Sequence, residues 1–389
     1  MSLSTTQSTA AAAGPRTRIL LLTPPPHIRG PLPKITRPLV ASLRDLGCEV
    51  IVANWGRRND IESLGEKLWG RADDIRRVRR ALTRERPDIL VVTTSHDWNT
   101  LLRDVLLLVA TRHNRPCTVL QMHGSRPEPL LSPGNALFKR MSRWLLQMSD
   151  GVLLLSSEEQ AQWQRFYPAG RFYRVANPFA HHGQPPASPL GSLSRVLGPH
   201  DPSVPLLLFV GRLMHEKGII NLVHAMATIR EATPARLLAV GDGPLSSEVA
   251  ALVQSLGLQG RVVTPGYLEG RELEAAYAAA TAFLLPTYWI EGFPTVIAEA
   301  MHAGLPIVTT AIRGMADHLK EGVNVLFVPP ADPAALADTI LRLVNDRSLC
   351  ASMAMANRQA VKKFSPDTVA REYLAVLRSI VEQGARVPR

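Results

Sequence analysis

The chain has 389 residues, of which 46% are hydrophobic and 20% are charged, a composition typical of a folded protein with two domains. Its three cysteines are widely separated, which argues against a disulfide framework and against a zinc knot. No apolar run approaches the roughly 18 residues that cross a bilayer. The first 15 residues lack the basic start and apolar core of a secretory signal. We therefore expect a cytoplasmic protein with a disordered N-terminal tail.

The net charge of +11 is confined to the first half of the chain. Residues 1–185 contain 26 lysines and arginines against 15 aspartates and glutamates, whereas the remaining residues contain 18 of each. This asymmetry indicates that the first half faces an anionic partner, either lipid headgroups or nucleic acid. A basic surface that serves only solubility would give the same count.

A basic amphipathic helix is predicted at residues 67–86. Its apolar side carries Leu68, Ile75, Val78 and Leu82, and its other sides carry Arg71, Arg76, Arg77, Arg79, Arg80 and Arg84. Together with the charge asymmetry, this helix predicts a peripheral protein on the anionic inner face of a membrane.

In chain order, the first half alternates apolar strands with helices. After the first strand come a loop at 23–33 and a helix at about 35–46. The apolar runs are continuous, which is typical of parallel strands covered by helices on both faces. These strands are predicted at 19–22, 49–53, 89–92, 118–122 and 152–155. The first half is therefore predicted to be one doubly wound α/β domain.

The alternation of strand and helix resumes after a segment rich in Pro, Gly, Ser and His, which is typical of a linker. A final helix at about 366–382 is expected to pack back on the first domain. Further strands are predicted at 206–210, 236–240, 261–264, 282–285, 306–309 and 325–328. The expected divisions are a tail at 1–15, an N-terminal domain at 16–185, a linker at 186–203, a C-terminal domain at 204–365 and a crossover helix at 366–389.

Two glycine turns follow predicted strands in the second half. Residues 211–218 place Arg212 and Lys217 between two glycines at the start of a helix, an arrangement that suits a diphosphate. Two solvated cations would show the same pattern. Residues 240–244 form a second glycine turn, which is suited to pass under a base or a ribose.

The third motif puts two carboxylates around a predicted helix start. Glu291 follows an apolar strand, Pro294 suits the first helical turn, and Glu299 lies one turn further in. Helix amides favour anions and carboxylates accept hydrogen bonds from hydroxyl groups, so the motif suits a sugar nucleotide. A surface glutamate and a helix glutamate without a role would have the same spacing.

Together these motifs resemble the retaining glycosyltransferases of family four, which have the GT-B fold. The resemblance implies two doubly wound, Rossmann-like α/β domains that face each other across a cleft, with the C-terminal helix crossing back to the first domain. It rests on residues 209–212, 217–218, 240–244, 286–287, 291–294 and 299–301, with further likeness at 121–124, 175–178, 304–308 and 322–326.

The resemblance also implies roles for individual residues. Arg212 and Lys217 would bind the donor diphosphate, Glu291 would hold a hydroxyl of the transferred sugar, and Glu299 would bind the ribose. His123 would approach the donor sugar from the other domain. The implied catalytic residues are Glu291, His123, Arg212 and Lys217, and the other implied donor-binding residues are Gly211, Gly241, Gly243, Gly292, Phe293, Pro294, Thr295 and Glu299. No metal or other cofactor is expected, since Arg and Lys would take the role of the metal and the chain lacks a DxD triplet.

The acceptor is expected to meet the first domain at Arg29, Gly30, Asp97 and Arg126. Gly30 is followed by a proline, which has no N–H to offer, so this loop departs from the glycine pair of the family and Arg29 is a candidate to compensate. Asp97 is an alternative base, although a turn with a packing tryptophan explains its surroundings better.

The function expected from these motifs is metal-independent, retaining sugar transfer in glycolipid or polysaccharide synthesis. The donor would be a UDP- or GDP-sugar, and the acceptor would be lipid-linked or a glycan. One alternative is a sugar-nucleotide epimerase on the same fold, against which the Glu291 and Glu299 pattern argues. The other is a basic nucleic-acid-binding protein, which is disfavoured by an aromatic content of 5% and by the lack of a nucleic-acid motif.

Overall fold

The computed structural model describes residues 16–28, 31–56, 64–125, 127–181, 183, 186–290 and 292–385. The first half forms a six-stranded parallel sheet with strand order β2-β1-β3-β4-β5-β6. Its strands are β1 (Arg18–Thr23), β2 (Glu49–Asn54), β3 (Ile89–Thr94), β4 (Cys117–Met122), β5 (Gly151–Leu154) and β6 (Phe172–Arg174). Its helices are α1 (Pro31–Asp45), α2 (Leu64–Glu85), α3 (Trp98–Thr111), α4 (Glu128–Leu131), α5 (Ala136–Gln147) and α6 (Ser157–Phe166).

The second half forms another six-stranded parallel sheet, with strand order β12-β11-β10-β7-β8-β9. Its strands are β7 (Leu206–Val210), β8 (Arg236–Val240), β9 (Val262–Gly266), β10 (Ala282–Leu285), β11 (Ile307–Thr309) and β12 (Leu326–Phe327). The helices are α7 (Pro189–Ser192), α8 (Ser194–Leu197), α9 (Ile219–Thr228), α10 (Ser246–Ser255), α11 (Gly270–Ala279), α12 (Thr295–Ala303), α13 (Gly314–His318), α14 (Pro333–Asn345), α15 (Arg347–Ala360) and α16 (Pro366–Ala385). The predicted fold class of two doubly wound α/β domains is confirmed.

The structure differs from the sequence prediction in several places. Helix α1 begins at Pro31, inside the segment predicted to be a loop. β6 was not predicted, because its residues Phe-Tyr-Arg do not form an apolar run. The segment predicted to be a linker without periodicity contains the one-turn helices α7 and α8. Leu193 and Leu197 from this segment are buried in the core of the second domain, so hydrophobic burial orders it despite its composition.

Helix α16 returns to the first domain, as predicted, and completes its core. It packs beside α1 on one face of the first sheet, where its buried residues include Tyr373, Leu377 and Ile380. Polar contacts fix its position, since the Tyr373 hydroxyl donates to Gln121 Oε1 at 2.9 Å and the Ser42 hydroxyl donates to Asp367 Oδ1 at 2.7 Å. The end of the chain is therefore a structural part of the first domain.

Within the described part of the chain, every helix is too short or too polar to cross a bilayer. The predicted basic helix is present as α2 and presents Val78 and Leu82 to the core, while Arg76, Arg79 and Arg80 are exposed.

Replacing Leu377 by Ala should lower the free energy of unfolding by about 2–5 kcal/mol, because it removes a fully buried side chain and leaves a cavity. Urea unfolding followed by circular dichroism measures the change. Glu372→Ala, on the exposed side of the same helix, should stay within about 0.5 kcal/mol of the wild type. Equal effects for the two variants would contradict the docking of α16.

Candidate active site

The second sheet has a topological switch between β7 and β10. The chain runs from β7 outward through β8 and β9, and from β10 outward in the other direction through β11 and β12. Ligands of such sheets bind in the crevice that opens at this point beyond the carboxyl ends of the strands. The two loops that border this crevice are the ones that follow β7 and β10, and they contain Arg212, Lys217 and the segment 286–294.

The Glu216 carbonyl group joins these two loops. The oxygen of Glu216 accepts hydrogen bonds from the backbone N–H of Tyr288 at 2.8 Å, from the N–H of Trp289 at 3.1 Å and from the Thr287 hydroxyl at 3.0 Å. Glu216 lies between the exposed Arg212 and the half-buried Lys217, in the short 3-10 turn His215–Lys217. The turn that carries the cations therefore cannot move independently of the loop after β10.

The glycines of this site allow backbones to approach each other closely. The Gly211 N–H donates to the Val240 carbonyl at 3.0 Å, and Gly241 has a φ of 136°. A Cβ atom at Gly241 would lie 2.0 Å from the Gly211 oxygen, and one at Gly243 would lie 2.4 Å from the Leu213 oxygen. Glycine is thus required by the packing of the two loops, whereas contact of these residues with a base or ribose stays a prediction.

The loop before α12 is anchored by its buried side chains. Phe293 stacks on Phe364 with ring centroids 4.7 Å apart and meets the edge of His318 at 5.2 Å. Pro294 is the residue that precedes the helix, so its predicted place in the first helical turn is off by one position, and Thr295 begins α12. The Phe293 ring belongs to the core, which leaves the backbone of this loop to meet a donor.

Glu299 is held by Tyr277, a residue that no sequence motif singles out. The Tyr277 hydroxyl on α11 donates to Glu299 Oε2 at 2.7 Å. Burial and the Glu299 carboxylate both raise the pKa of Tyr277 well above its usual value, so its hydroxyl stays protonated and remains a donor. One carboxylate oxygen of Glu299 is therefore fixed by Tyr277.

His123 lies in the loop after β4, at the carboxyl edge of the first sheet. Its backbone N–H donates to the Thr94 carbonyl at 3.0 Å. Burial lowers the pKa of the imidazole to about 4, so the ring is neutral at pH 7. Its buried Nδ1 has no hydrogen-bond partner among the described residues. A nitrogen of a neutral imidazole that has no partner can either donate a hydrogen bond to a sugar hydroxyl or accept one from it.

Asp97 is occupied as the N-cap of α3. Its carboxylate accepts from the N–H of Asn99 at 2.9 Å and from the N–H of Thr100 at 3.0 Å, and the Ser95 hydroxyl also donates to it. The adjacent His96 is buried in the core, 3.0 Å from the Ser142 hydroxyl. A capping role explains Asp97 in this structure, and its role with an acceptor remains a prediction.

Four of the predicted residues, Glu291, Arg29, Gly30 and Arg126, lie outside the described residues. Among the residues that are described, no group of three or more His, Cys, Asp or Glu side chains is arranged to hold a metal ion.

The sequence also gave no reason to select Arg313, in the loop between β11 and α13. Its side chain crosses to the first domain, where Nη1 donates to the Ser125 carbonyl at 2.7 Å. The following Gly314 donates its N–H to the Gly292 carbonyl at 2.9 Å. The available signal for this position was an arginine–glycine pair in the short loop that follows β11.

Two sequence profiles together match most of the chain. The sequence profile of the glycosyl transferases group 1 matches residues 197–360, and that of the glycosyl transferase 4-like domain matches residues 6–178. The chain is 31% identical over 290 residues to a D-inositol 3-phosphate glycosyltransferase of Frankia alni, an alignment that covers 69% of each protein. Because both profiles describe glycosyltransferases, the epimerase alternative is not favoured.

Other relatives are matched over shorter stretches. An uncharacterized glycosyltransferase of Methanocaldococcus jannaschii is 32% identical over 182 residues, which is 46% of each protein. Several curated relatives are matched over only 30% to 46% of their own length. Among solved structures, Anabaena HepE in complex with UDP and glucose has a TM-score of 0.68 at 20% identity, and the match covers 94% of this chain and 100% of that chain. That likeness shows the shared fold.

Replacing Gly241 by Ala should displace the 211–218 loop and weaken nucleotide binding about tenfold or more, which corresponds to about 1.4 kcal/mol. The added Cβ cannot fit beside the Gly211 oxygen. Isothermal titration calorimetry with UDP and GDP measures the change.

Gly257→Ala is the matched control. Gly257 also has a positive φ, of 65°, but open space surrounds its missing side chain. This variant should lose about 1–2 kcal/mol of stability from backbone strain and keep its nucleotide affinity. Equal losses of affinity would mean that backbone strain alone accounts for the effect at Gly241.

Proposed function

The chain belongs to the group 1 glycosyltransferases, and from that premise we propose that it transfers a sugar, with retention and without a metal ion, from a nucleotide diphosphate donor. The observation that carries this proposal is the Glu216 carbonyl, which joins the turn of Arg212 and Lys217 to the loop that leads to Glu299. These hydrogen bonds link the loop that contains Arg212 and Lys217 to the loop that leads into α12. Developing charge on a leaving diphosphate is stabilised best by groups that are already in place.

Each residue has a distinct task in this proposal. Arg212 and Lys217 neutralise the diphosphate, and the amides that open α12 add their partial positive charge. Glu299, fixed by Tyr277, accepts from the ribose hydroxyls. Glu291 holds a hydroxyl of the transferred sugar, and His123 reaches that sugar from the first domain. The departing phosphate oxygen takes the acceptor proton, so no separate base is needed.

A UDP-sugar is the first donor to test. The support for it is the likeness in fold to HepE, which was solved in complex with UDP and glucose. A GDP-sugar is the other candidate within the same proposal.

The acceptor is proposed to be lipid-linked or a glycan, in glycolipid or polysaccharide synthesis, with a lipid-linked acceptor favoured by the surface of the first domain. Trp98, Leu102 and Leu106 follow one another at four-residue spacing on α3, and each is about half exposed. On the adjacent α5, Leu137 is 63% exposed and Trp144 is 47% exposed. A contiguous exposed apolar patch is typical of a membrane or partner contact, and we propose that these side chains form one.

Basic residues lie on the same domain as this apolar stripe. Arg76, Arg79, Arg80 and Arg84 line one exposed groove along α2. The other two arginines of the predicted basic face are engaged, since Arg77 pairs with Asp74 and Arg71 donates to the Gly56 carbonyl. The proposed partner of the four groove residues is an anionic membrane on its cytoplasmic face, because exposed basic residues near anionic lipid each contribute about 1 kcal/mol.

Lys217→Ala should raise the dissociation constant of UDP or GDP about 10- to 100-fold, because a hydrogen bond between charged groups contributes about 1.5–3 kcal/mol.

Glu291→Ala should instead abolish transfer while leaving nucleotide affinity and the melting temperature close to wild type. Calorimetry and a sugar-transfer assay separate the two effects, and Lys362→Ala at an exposed site is the control. Normal turnover of Glu291→Ala would overturn the assignment.

Reversing the charges of Arg76, Arg79, Arg80 and Arg84 to Glu should reduce binding to anionic liposomes at least about 100-fold, since each arginine is expected to contribute about 1 kcal/mol near the surface. Co-sedimentation with phosphatidylglycerol vesicles at low and high salt measures the binding of each variant to the liposomes. The matched control reverses four exposed basic residues of the second domain, Arg271, Arg342, Arg347 and Lys362. If both quadruple variants bind equally, α2 is not the membrane contact.

A further inference from the structure

Arg313 is a charged residue in a place that disfavours charge. Its guanidinium is fully buried, and its backbone has a φ of 46°, a value that residues other than glycine rarely adopt. Burial of an arginine is unfavourable unless its hydrogen-bond donors find partners. Strained, buried residues of this kind persist where the surrounding structure holds them in place.

The partners of the Arg313 side chain all belong to the first domain. Nη1 donates to the Ser125 carbonyl at 2.7 Å, and Nη2 donates to Glu128 Oε1 at 2.6 Å. Nη2 also lies 3.4 Å from Gln162 Oε1, and Nε lies 4.0 Å from Glu158 Oε1. The Arg313 backbone therefore lies in the second domain, whereas its side chain is hydrogen-bonded to the first domain.

Ser125 is two residues beyond His123 in the loop that follows β4. The contact with Arg313 therefore holds residues 123–125, which we call the histidine loop. Both the N–H and the hydroxyl of Ser125 donate to Glu159, and the Trp163 indole donates to the Ser125 hydroxyl at 2.9 Å. Glu159 is fully buried, and its second oxygen accepts from the N–H of Leu155 at 3.1 Å. This network ties the histidine loop to the end of β5.

The same network reaches the loop that begins at Gly292. Leu155 packs directly on Gly292, where an added Cβ would lie 2.4 Å from the leucine side chain. From the other direction, Gly314 donates its N–H to the Gly292 carbonyl at 2.9 Å. The Arg313 side chain thus contacts the histidine loop, and the Gly314 backbone amide contacts the Gly292 loop. Together these contacts form a closed ring across the two domains.

A second contact between the domains lies one turn further along α13. Asp317 accepts from the N–H of Ser157 at 2.6 Å and from the Ser157 hydroxyl, and Arg174 lies 3.9 Å away. Ser157 begins α6, so a carboxylate sits at the positive end of that helix. Arg313 and Asp317 therefore join the domains at two points on the same short segment.

We propose that Arg313 is a positioning residue that, together with Asp317, holds the two domains closed and sets His123 against the Gly292 loop for sugar transfer. This inference rests on the proposed function. Arg212, Lys217 and Glu299, which are assigned to the nucleotide, all lie in the second domain, so the contact between the domains governs transfer and not nucleotide binding. It also provides a defined contact that must break for the cleft to open.

The test uses Arg313→Lys and Arg313→Met in the full chain. Transfer should fall on the order of 100-fold for Met, since misplacement of reacting groups by about 1 Å has effects of that size. Arg313→Lys should retain part of the activity, because it keeps the positive charge. It should not retain all of it, because the ammonium group can reach fewer acceptors than the planar guanidinium. The dissociation constant for UDP should change less than about threefold, and the radius of gyration from small-angle X-ray scattering should increase.

Asp317→Asn is a second, isosteric variant that keeps the test decisive if Arg313 variants do not fold. It should lower kcat with little change in the UDP dissociation constant, and Arg342→Lys on exposed α14 is the control. Wild-type kcat and wild-type radius of gyration in all variants would overturn the inference. So would a loss of UDP affinity in proportion to activity, since that would show a merely structural role.

The two proposals fail in distinguishable ways. If the wild type binds no nucleotide and transfers no sugar, the proposed function is wrong. The scattering comparison of wild type with Arg313→Met still decides whether the contact holds the domains closed.

Discussion

The candidate site depends on contacts between backbones that leave no room for side chains. The loops after β7, β8 and β10 meet at Gly211, Gly241 and the Glu216 carbonyl, and a Cβ atom at Gly241 would overlap the Gly211 oxygen. Main-chain hydrogen bonds fix distances more closely than long flexible side chains do, because fewer rotatable bonds separate the atoms. Arg212 and Lys217 have long side chains with several rotatable bonds. The loop contacts define the backbone positions from which these side chains extend.

The two domains are connected by contacts of different character. Helix α16 supplies an apolar surface that completes the core of the first domain, and opening that contact would expose Leu377 and Ile380 to water. Arg313 and Asp317 instead connect the domains through hydrogen bonds. Water can replace such bonds when the cleft opens, so the second contact can break while the first persists. This difference allows a hinge motion without loss of the fold.

The sequence predicted the strands well because parallel strands covered on both faces are continuous apolar runs. Strands β7, β8 and β10 have the predicted bounds, whereas β6, with the sequence Phe-Tyr-Arg, lacks a continuous apolar run. Residues that act through distant partners were not predictable. Tyr277 lies 22 residues from Glu299, and Arg313 lies 188 residues from Ser125, so no local pattern links either pair. Asp97 was singled out for its place beyond a strand, yet it caps a helix, because the same carboxylate at a strand end serves either purpose.

In the proposed function, the positive charge of this protein serves two tasks that differ in physical character. The excess in the first half lies partly on exposed arginines of α2, where salt screens it and several residues must act together. The second half has no net charge, yet the loop between β7 and α9 contains both Arg212 and Lys217. A dispersed surface charge suits attraction to an extended anionic surface, whereas two fixed cations suit a single diphosphate. The neutrality of the second half therefore does not argue against an anionic donor, because binding there depends on the local arrangement and not on the total charge.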